Sequence, residues 1–579
     1  MVGLKKDLQA FLKSKSYGVV VITAAILAYG FAITHYAIGM DDTAIALYFE
    51  EGLAPYVGRW SLFLINQIFA ISDFAPWLTE LLSVLILMIS VTLWCVLWKR
   101  ICEPKVVLKN WMYGAVAAVF LSCPLISEVF VFYLHNGVCT GYGVVALALL
   151  FFLQSVEKGR NNRQGSRSLA ASALCLTVAL GFYESFIIVY VMGAILCFFL
   201  IRYLYGKKAE EGTYRWGLWG WILRGVSVVG CSVALRWLIL TVVKAAYHLE
   251  TLSSYDVLYR SLFGSSFTSA GELAMILKRF WVKYYVNAVA YLPIAVLVGA
   301  FVLILAVSVW GGIRRKDGML PVCGGCLIVL PIAMSVVEGL ATRYRSAQYV
   351  PVVCAFGALL LWILLTSKEG CCGKLAETKG KSAGKRKCCG GLTAVAGVLL
   401  GILIYNQCAD MNSWFYQDYL KYQDAKRVML QIAYDLEQQY DTSKPIVFRG
   451  AYTVPDTIAS KAYLSFGSRE FGWVRKLTDP IDIHLKEKYF DQNVNAYVVA
   501  ESPVISTLQW GVTAFDGTSG QLIAFWKMHG VDEFRCVTDL EVIEEAEKIR
   551  TEEAMPGYPK EGYIKELDDY IIVNFSQAK

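Results

Sequence analysis

"YGVVVITAAILAYGFAITHYAIGMDD", Tyr17 to Asp42, is the stretch that decides what kind of chain this is. From Tyr17 to Met40 it holds no Asp, Glu, Lys or Arg. A helix rises 1.5 Å per residue, so such a run is long enough to cross the roughly 30 Å hydrocarbon core of a bilayer. It is too long for the apolar part of a secretory signal and lacks a small-residue cleavage site, so it reads as a retained anchor. It then ends on two adjacent acids, Asp41 and Asp42. Charge beside lipid is costly, and acids placed there call for a reason.

The rest of the chain repeats this character. Of 579 residues, 56% are hydrophobic and only 17% charged, where an average globular chain is about a quarter charged. Mean hydropathy is +0.49. Eleven apolar runs qualify as transmembrane candidates, near residues 17–39, 77–98, 111–132, 139–156, 168–184, 186–203, 225–247, 289–311, 319–338, 347–366 and 391–407. The expected fold is a polytopic α-helical membrane protein of about 11 transmembrane helices.

The net charge of +7 does not indicate a nucleic-acid partner, because the basic residues fall in short loops between apolar runs. Alternate loops carry most of them: Lys5, Lys6, Lys13 and Lys15, then Lys99, Arg100, Lys105 and Lys109, then Lys158 to Arg167, Arg202 to Arg224, Arg314 to Lys316, and Lys368 to Lys387. By the positive-inside rule those loops and the N-terminus are cytoplasmic. An odd number of spans then places everything after residue 407 outside. The sixteen cysteines lie mostly in apolar runs or in the basic loop "KEGCCGKLAETKGKSAGKRKCCGG". The C-C spacing in that loop is wrong for a zinc knuckle, and its lysines suit a loop held near anionic headgroups.

Beyond residue 407 the composition changes. "YQDYLKYQDAKRVMLQIAYDLEQQY" has helical periodicity, with Leu420, Val428, Ile432 and Leu436 near one face. Ile446–Phe448 and Tyr570–Phe575 read as short buried strands, with helices in "TSGQLIAFWKMHG" and "DLEVIEEAEKIR" between them. The expected division is a transmembrane catalytic part, 1–407, and a small extracytoplasmic α/β domain, 408–579.

Ionisable residues at the outer span ends are the candidates for chemistry. Asp42 is near an N-cap position of "DDTAIALYFEEG", where capping would account for it. Adjacent residues do not share a helix face, so at most one of Asp41 and Asp42 aims into a site, where a carboxylate could serve as a general base. Arg59, in "VGRW", is the basic residue of that loop. Arg343 and Arg345, in "TRYRSAQY", suit an anionic phosphate through charge-assisted bonds or interfacial anchoring equally well. Glu128, His135, Tyr183 and Glu184 stand at other outer ends. Arg236 lies within the seventh run and must pair, snorkel or face a wet cavity.

"GMDDTAIALYFEEGLAPYVGRW" resembles the first outer loop of the GtrII-type bacterial glucosyltransferases. The likeness continues in "LGFYESFIIVYV", in "DYLKYQDAKRVMLQIAYDLEQ" and in "AMPGYPKEGYIKELDDYIIVNF". The resemblance implies a GT-C-like integral-membrane enzyme of the bacterial plasma membrane. Such an enzyme moves a sugar, often glucose, from a polyprenyl-phosphate donor to a cell-surface glycan acceptor on the outer face. By position, Asp41 and Asp42 match the family's acidic pair and Arg59 its "GR" pair. Glu184 stands where a Gln is expected. No cofactor is required by this chemistry; a divalent cation beside the acids is compatible with it, though no metal ligand set is evident. Two alternatives stay open. A lipid-linked sugar transporter or flippase would use Arg236 at mid-depth, and a membrane O-acyltransferase would need a well-placed histidine such as His35 or His135.

Overall fold

A long segment without charge leaves its backbone polar groups no partner in lipid except each other, and helix is the local solution. The structure, a computed structural model, describes residues 2–39, 42, 58–69, 75–130, 135–157, 162–206, 217–246, 248, 294–338, 347–366, 382–450, 452 and 518–576, with isolated positions 271, 274, 278, 476 and 480. The helices are α1 (Val2–Leu12), α2 (Lys15–Thr34), α3 (Trp60–Phe69), α4 (Pro76–Cys102), α5 (Asn110–Leu121), α6 (Leu125–Phe130), α7 (His135–Val156), α8 (Asn162–Phe182), α9 (Phe186–Tyr205), α10 (Leu218–Ala246), α11 (Ile294–Arg315), α12 (Met319–Glu338), α13 (Val350–Thr366) and α14 (Ser382–Gln439). Every one of the eleven apolar runs thus contributes helix.

Among the described residues, seven helices are long and apolar enough to cross a membrane: α2, α4, α7, α8, α9, α10 and α14. The run at 111–132 is divided into α5 and α6 at Ser122–Pro124, where Pro124 has no N–H to continue the ladder. The helix α13 is shorter, at 17 residues. The protein is therefore a polytopic helical membrane protein, with seven membrane-length helices in the described part.

Side-chain contacts sort the helix ends into two groups. At one end the basic residues gather. Arg100 Nε donates to Asp7 across 3.1 Å, Lys99 lies over the Phe11 ring, and Lys105 lies over Tyr205. There too Arg315 lies over Tyr203, Arg224 donates to the Ser155 carbonyl, and Arg202 pairs with the buried Asp317. At the other end stand the close of α2 and α8 and the start of α3, α4, α7, α9 and α13. The Tyr29 hydroxyl reaches the Leu121 carbonyl and Ser122 Oγ donates to Gln407 Oε1, so α2, α5 and α14 are joined there. The alternation of charged and uncharged loops in the sequence is thus a separation of two ends in space.

The expected division near residue 407 falls inside α14, which runs through it as one helix. Its later turns enter a second core. The strands β1 (Ile446–Arg449), β2 (Ile564–Glu566) and β3 (Ile571–Asn574) form one sheet of order β1-β3-β2, with β1 parallel and β2 antiparallel to β3. Between them in sequence lie the helices α15 (Gly520–Met528) and α16 (Leu540–Glu552). Side chains of a strand alternate between faces, and the sheet uses both. Ile446, Phe448, Ile571 and Val573 pack with α14 and α15, while Val447 and Ile572 pack with α16. That two-sided cover explains why "IVF" and "IIV" are continuous apolar runs rather than alternating ones. Tyr36 and Ile38, from the segment after α2, also pack on the α14 side of this core.

Candidate functional site

The sequence marks Arg59, Tyr183, Glu184 and Arg236 separately; the fold brings all four together. Gly58 has φ +75°, a left-handed backbone that favours glycine, and it turns the chain into α3. A Cβ on Gly58 would lie 3.7 Å from Arg236 Nη2 and 3.5 Å from Leu240, so the glycine also makes room for α10. The next residue, Arg59, places its guanidinium carbon 4.6 Å from the centre of the Tyr183 ring. Arg236 Nε donates to the Leu180 carbonyl at 3.3 Å and Nη2 donates to Glu184 Oε1 at 2.5 Å. The arginine inside the seventh run is thus paired with the α8–α9 turn. Gly181, in the same turn, lets Trp60 approach; a Cβ there would stand 2.6 Å from the Trp60 ring and would also collide with Ser61.

The same turn continues into a buried polar contact that the sequence did not flag. Ser185 Oγ donates to Gln348 Oε1 at 2.8 Å, and both residues are fully buried. The Tyr142 hydroxyl donates to the Gln348 carbonyl at 2.9 Å. Gln348 Nε2 is buried without a hydrogen-bond partner. Gln348 lies just after the "TRYR" segment, so the start of α13 is tied to the turn that carries Glu184. An amide in a short polar stretch between two apolar runs was the available signal.

Asp42 heads a second group at the same helix ends. Its side chain is buried, and Oδ2 accepts from the Gly39 N–H at 2.7 Å and from the Tyr36 hydroxyl at 3.1 Å. The carboxylate thus reaches back to a backbone N–H three residues earlier in the chain. Two more acids stand within electrostatic reach: Glu80, buried near the start of α4, and the partly buried Asp418 of α14. Neither figured in the sequence reading, although Glu80 is an acid inside an apolar run and the rule that marked Arg236 applies to it equally.

Asp41, Arg343 and Arg345 lie outside the described residues. Glu128 and His135 belong to α6 and the first residue of α7, at the same end of the helices; their side chains lie outside the description. Among the described residues, no three His, Cys, Asp or Glu side chains converge closely enough to hold a metal ion.

Paired arginines and buried carboxylates, gathered at one end of membrane-length helices, define an integral-membrane protein with charged groups where its helices end. The family follows from comparison with known proteins. The model of the glucosyl transferase GtrII family matches residues 30–367, more than half of the chain, and the chain belongs to that family, which implies a membrane glucosyltransferase. The matched span takes in Asp42, the Arg59 group and Gln348. No curated protein and no solved structure matches the chain.

Proposed function

We propose that the protein transfers a hexose, glucose by family membership, from a polyprenyl-phosphate donor to a cell-surface glycan on the outer face of the bacterial plasma membrane. The observation that carries this reading is the convergence of Arg59 and Arg236 on one turn, through Tyr183 and Glu184. A guanidinium has five N–H donors. Arg236 commits two, to Leu180 and Glu184. Arg59, among the described residues, has the Tyr183 ring as its partner and no carboxylate. The remaining donors suit phosphate oxygens.

The reaction assigns distinct work to the adjacent acids. Asp42 is engaged by Tyr36 and Gly39 and fixes the loop. Asp41, its neighbour in sequence, is the general base in this reading. It takes the proton of an acceptor hydroxyl as that oxygen bonds to the anomeric carbon. The bond from the anomeric carbon to the phosphate oxygen breaks, and its electron pair leaves with the lipid phosphate. Arg59 and Arg236 stabilise the charge gathering there. The gathering of basic residues at the opposite helix ends supports a cytoplasmic assignment for that end, and hence an outer one for the site. The region after α14 lies on the same side and contacts the Asp42 loop through Tyr36 and Ile38, which suits a part that receives the acceptor.

Mass spectrometry of surface glycans from cells with and without the protein tests this, with Asp41→Asn and Asp42→Asn expressed to equal levels. A hexose present only with the wild-type protein, lost with Asp41→Asn and reduced with Asp42→Asn, is expected. Unchanged glycans in the deletion strain, or full modification by Asp41→Asn, would refute it.

A further inference from the structure

We infer that Tyr36 is a positioning residue, through which the second core holds the Asp42 carboxylate in place. The kinetic consequence rests on the proposed transfer; the coupling itself is between two parts of this chain. The family match ends at residue 367 and assigns no work to the second core, which begins with the later turns of α14.

The path can be followed along α14. Asn412 Nδ2 donates to the Leu27 carbonyl, so α14 lies against α2 as both approach the site end. Two turns on, the Tyr419 ring stands edge-on to Phe31 and His35, with centroids 6.0 and 5.3 Å away. The segment after α2 then changes partners. Ala32 belongs to the first core, whereas Tyr36 and Ile38 pack in the second. The helix α14 makes the same passage, with Phe415 in the first core and Ala425 in the second. Asp418 lies between those two residues and within electrostatic reach of Asp42. Asp42 is therefore held at the seam of the two cores.

At that seam the two bonds to Asp42 Oδ2 do different work. The bond from the Gly39 N–H, 2.7 Å long, spans three residues and fixes the carboxylate only relative to its own segment. The Tyr36 hydroxyl, at 3.1 Å, belongs to a ring packed on the second core. Ile38, 7% exposed, anchors the backbone between them in the same core. A shift of that core carries the hydroxyl with it, and the carboxylate follows or loses the bond. A buried carboxylate does not replace a lost donor cheaply, which favours its following. Misplacement of about 1 Å can cost about 100-fold in rate, so a part outside the matched family span gains control over the geometry of the acidic loop.

The full-length protein in nanodiscs serves both arms of the test. In the first, amide hydrogen exchange reads the coupling without any substrate. Tyr36→Phe keeps the ring and removes the hydroxyl; exchange at Gly39 is expected to speed up while α15 stays protected. Trp526→Leu loosens the second core away from the loop, because the Trp526 indole N–H donates to the Met429 carbonyl inside it. Exchange is then expected to speed up in α15 and at Gly39 together. In the second arm, Tyr36→Phe is expected to lower kcat for sugar transfer about tenfold, the order of one hydrogen bond to a charged group, with KM for the acceptor unchanged. A merely structural role would lower the yield of folded protein and leave kcat per folded molecule as it was. Gly39 protection that survives the loosening of α15 by Trp526→Leu, or a kcat untouched by Tyr36→Phe, overturns the positioning role. Absence of transfer by the wild type refutes the proposed function instead, and the exchange arm then still decides whether the second core holds the loop.

Discussion

The Ser185 hydroxyl donates to Gln348 Oε1 across 2.8 Å and 163 residues of sequence, fastening the start of α9 to the start of α13. The bond lies one residue beyond Glu184, so the turn that pairs with Arg236 is anchored from behind by a buried hydrogen bond. Ser185→Ala would leave a buried amide oxygen without its donor, a loss of about 1–3 kcal/mol. The expected outcome is a lower melting temperature in detergent together with weaker transfer. Gln348→Leu takes the acceptor from the Ser185 hydroxyl as Gln348→Ala does, but it fills the side chain's volume and is expected to melt higher than Gln348→Ala. An unchanged melting temperature for Ser185→Ala would show that the bond does not hold the turn.

Close packing of α3 on the α8–α9 turn gives a second prediction, one that touches no charged group. A methyl at Gly181 would occupy the space of Trp60 and Ser61, next in sequence to Arg59. Overpacking of this kind costs about 1–3 kcal/mol, and here it would displace Arg59 from Tyr183. Gly181→Ala is expected to reduce transfer through a raised KM for the lipid donor. The matched control is Gly230→Ala on α10, where nothing lies within 4 Å of an added Cβ. Alanine is there the better helix former by up to about 1 kcal/mol, so activity should be retained. Equal activity in the two variants would contradict the packing argument.

At the opposite end of the helices, Arg202 and Asp317 form an ion pair, with Nη2 donating to Oδ1 across 3.2 Å and Nε 3.0 Å from Oδ2. Both side chains are buried, and Asp317 Oδ1 also accepts from the Met319 N–H. Removing one partner of a buried pair strands the other charge and typically costs about 3–5 kcal/mol, whereas replacing both by apolar residues costs far less. Asp317→Asn is therefore expected to lower the yield of folded protein sharply. Arg202→Met with Asp317→Leu should recover most of it, as a double-mutant cycle on thermal stability would read. Additive losses would mean that the two groups act independently.

How much of this was legible beforehand follows from the range of each signal. Helix in lipid is a local necessity, so each of the eleven apolar runs contributes helix among the described residues, seven of them at membrane length, and "IVF" and "IIV" form covered strands. The strand β2 has three residues, Ile-Lys-Glu, and offers no pattern to read. Arg236 and Glu184 were each visible as charges out of place, but their pairing spans 52 positions, and no local spacing encodes it. Asp317 sits in "RRKDG", which reads as a solvated basic loop; only the fold shows that Arg202, 115 positions away, draws it inside. The single α14 helix hides the passage from the first core to the second, because helix periodicity continues while the partners change.

The second core supplies a pH-dependent prediction. His529, at the end of α15, has both ring nitrogens engaged. Nδ1 lies 2.6 Å from the Phe525 carbonyl, which can only accept, so Nδ1 carries the proton. Nε2 lies 2.8 Å from the Tyr422 hydroxyl and accepts from it. The ring is therefore held neutral, and burial keeps its pKa below the ordinary 6.5; the bond to Phe525 opposes this and Lys426 adds to it. As pH falls through about 6.5, the unfolded chain takes up a proton here and the folded chain does not. The unfolded state then binds more protons, so this group's contribution to stability is present above pH 6.5 and lost on acidification toward the lower folded value. Amide hydrogen exchange in α15 is expected to accelerate between pH 7.5 and 5.5, after correction for the intrinsic rate. His529→Gln keeps an amide in the ring's place and is expected to be less protected at pH 7.5 but flatter across that range. The same pH slope in wild type and variant would mean that acidification loosens this core through other groups and that His529 has no part in it.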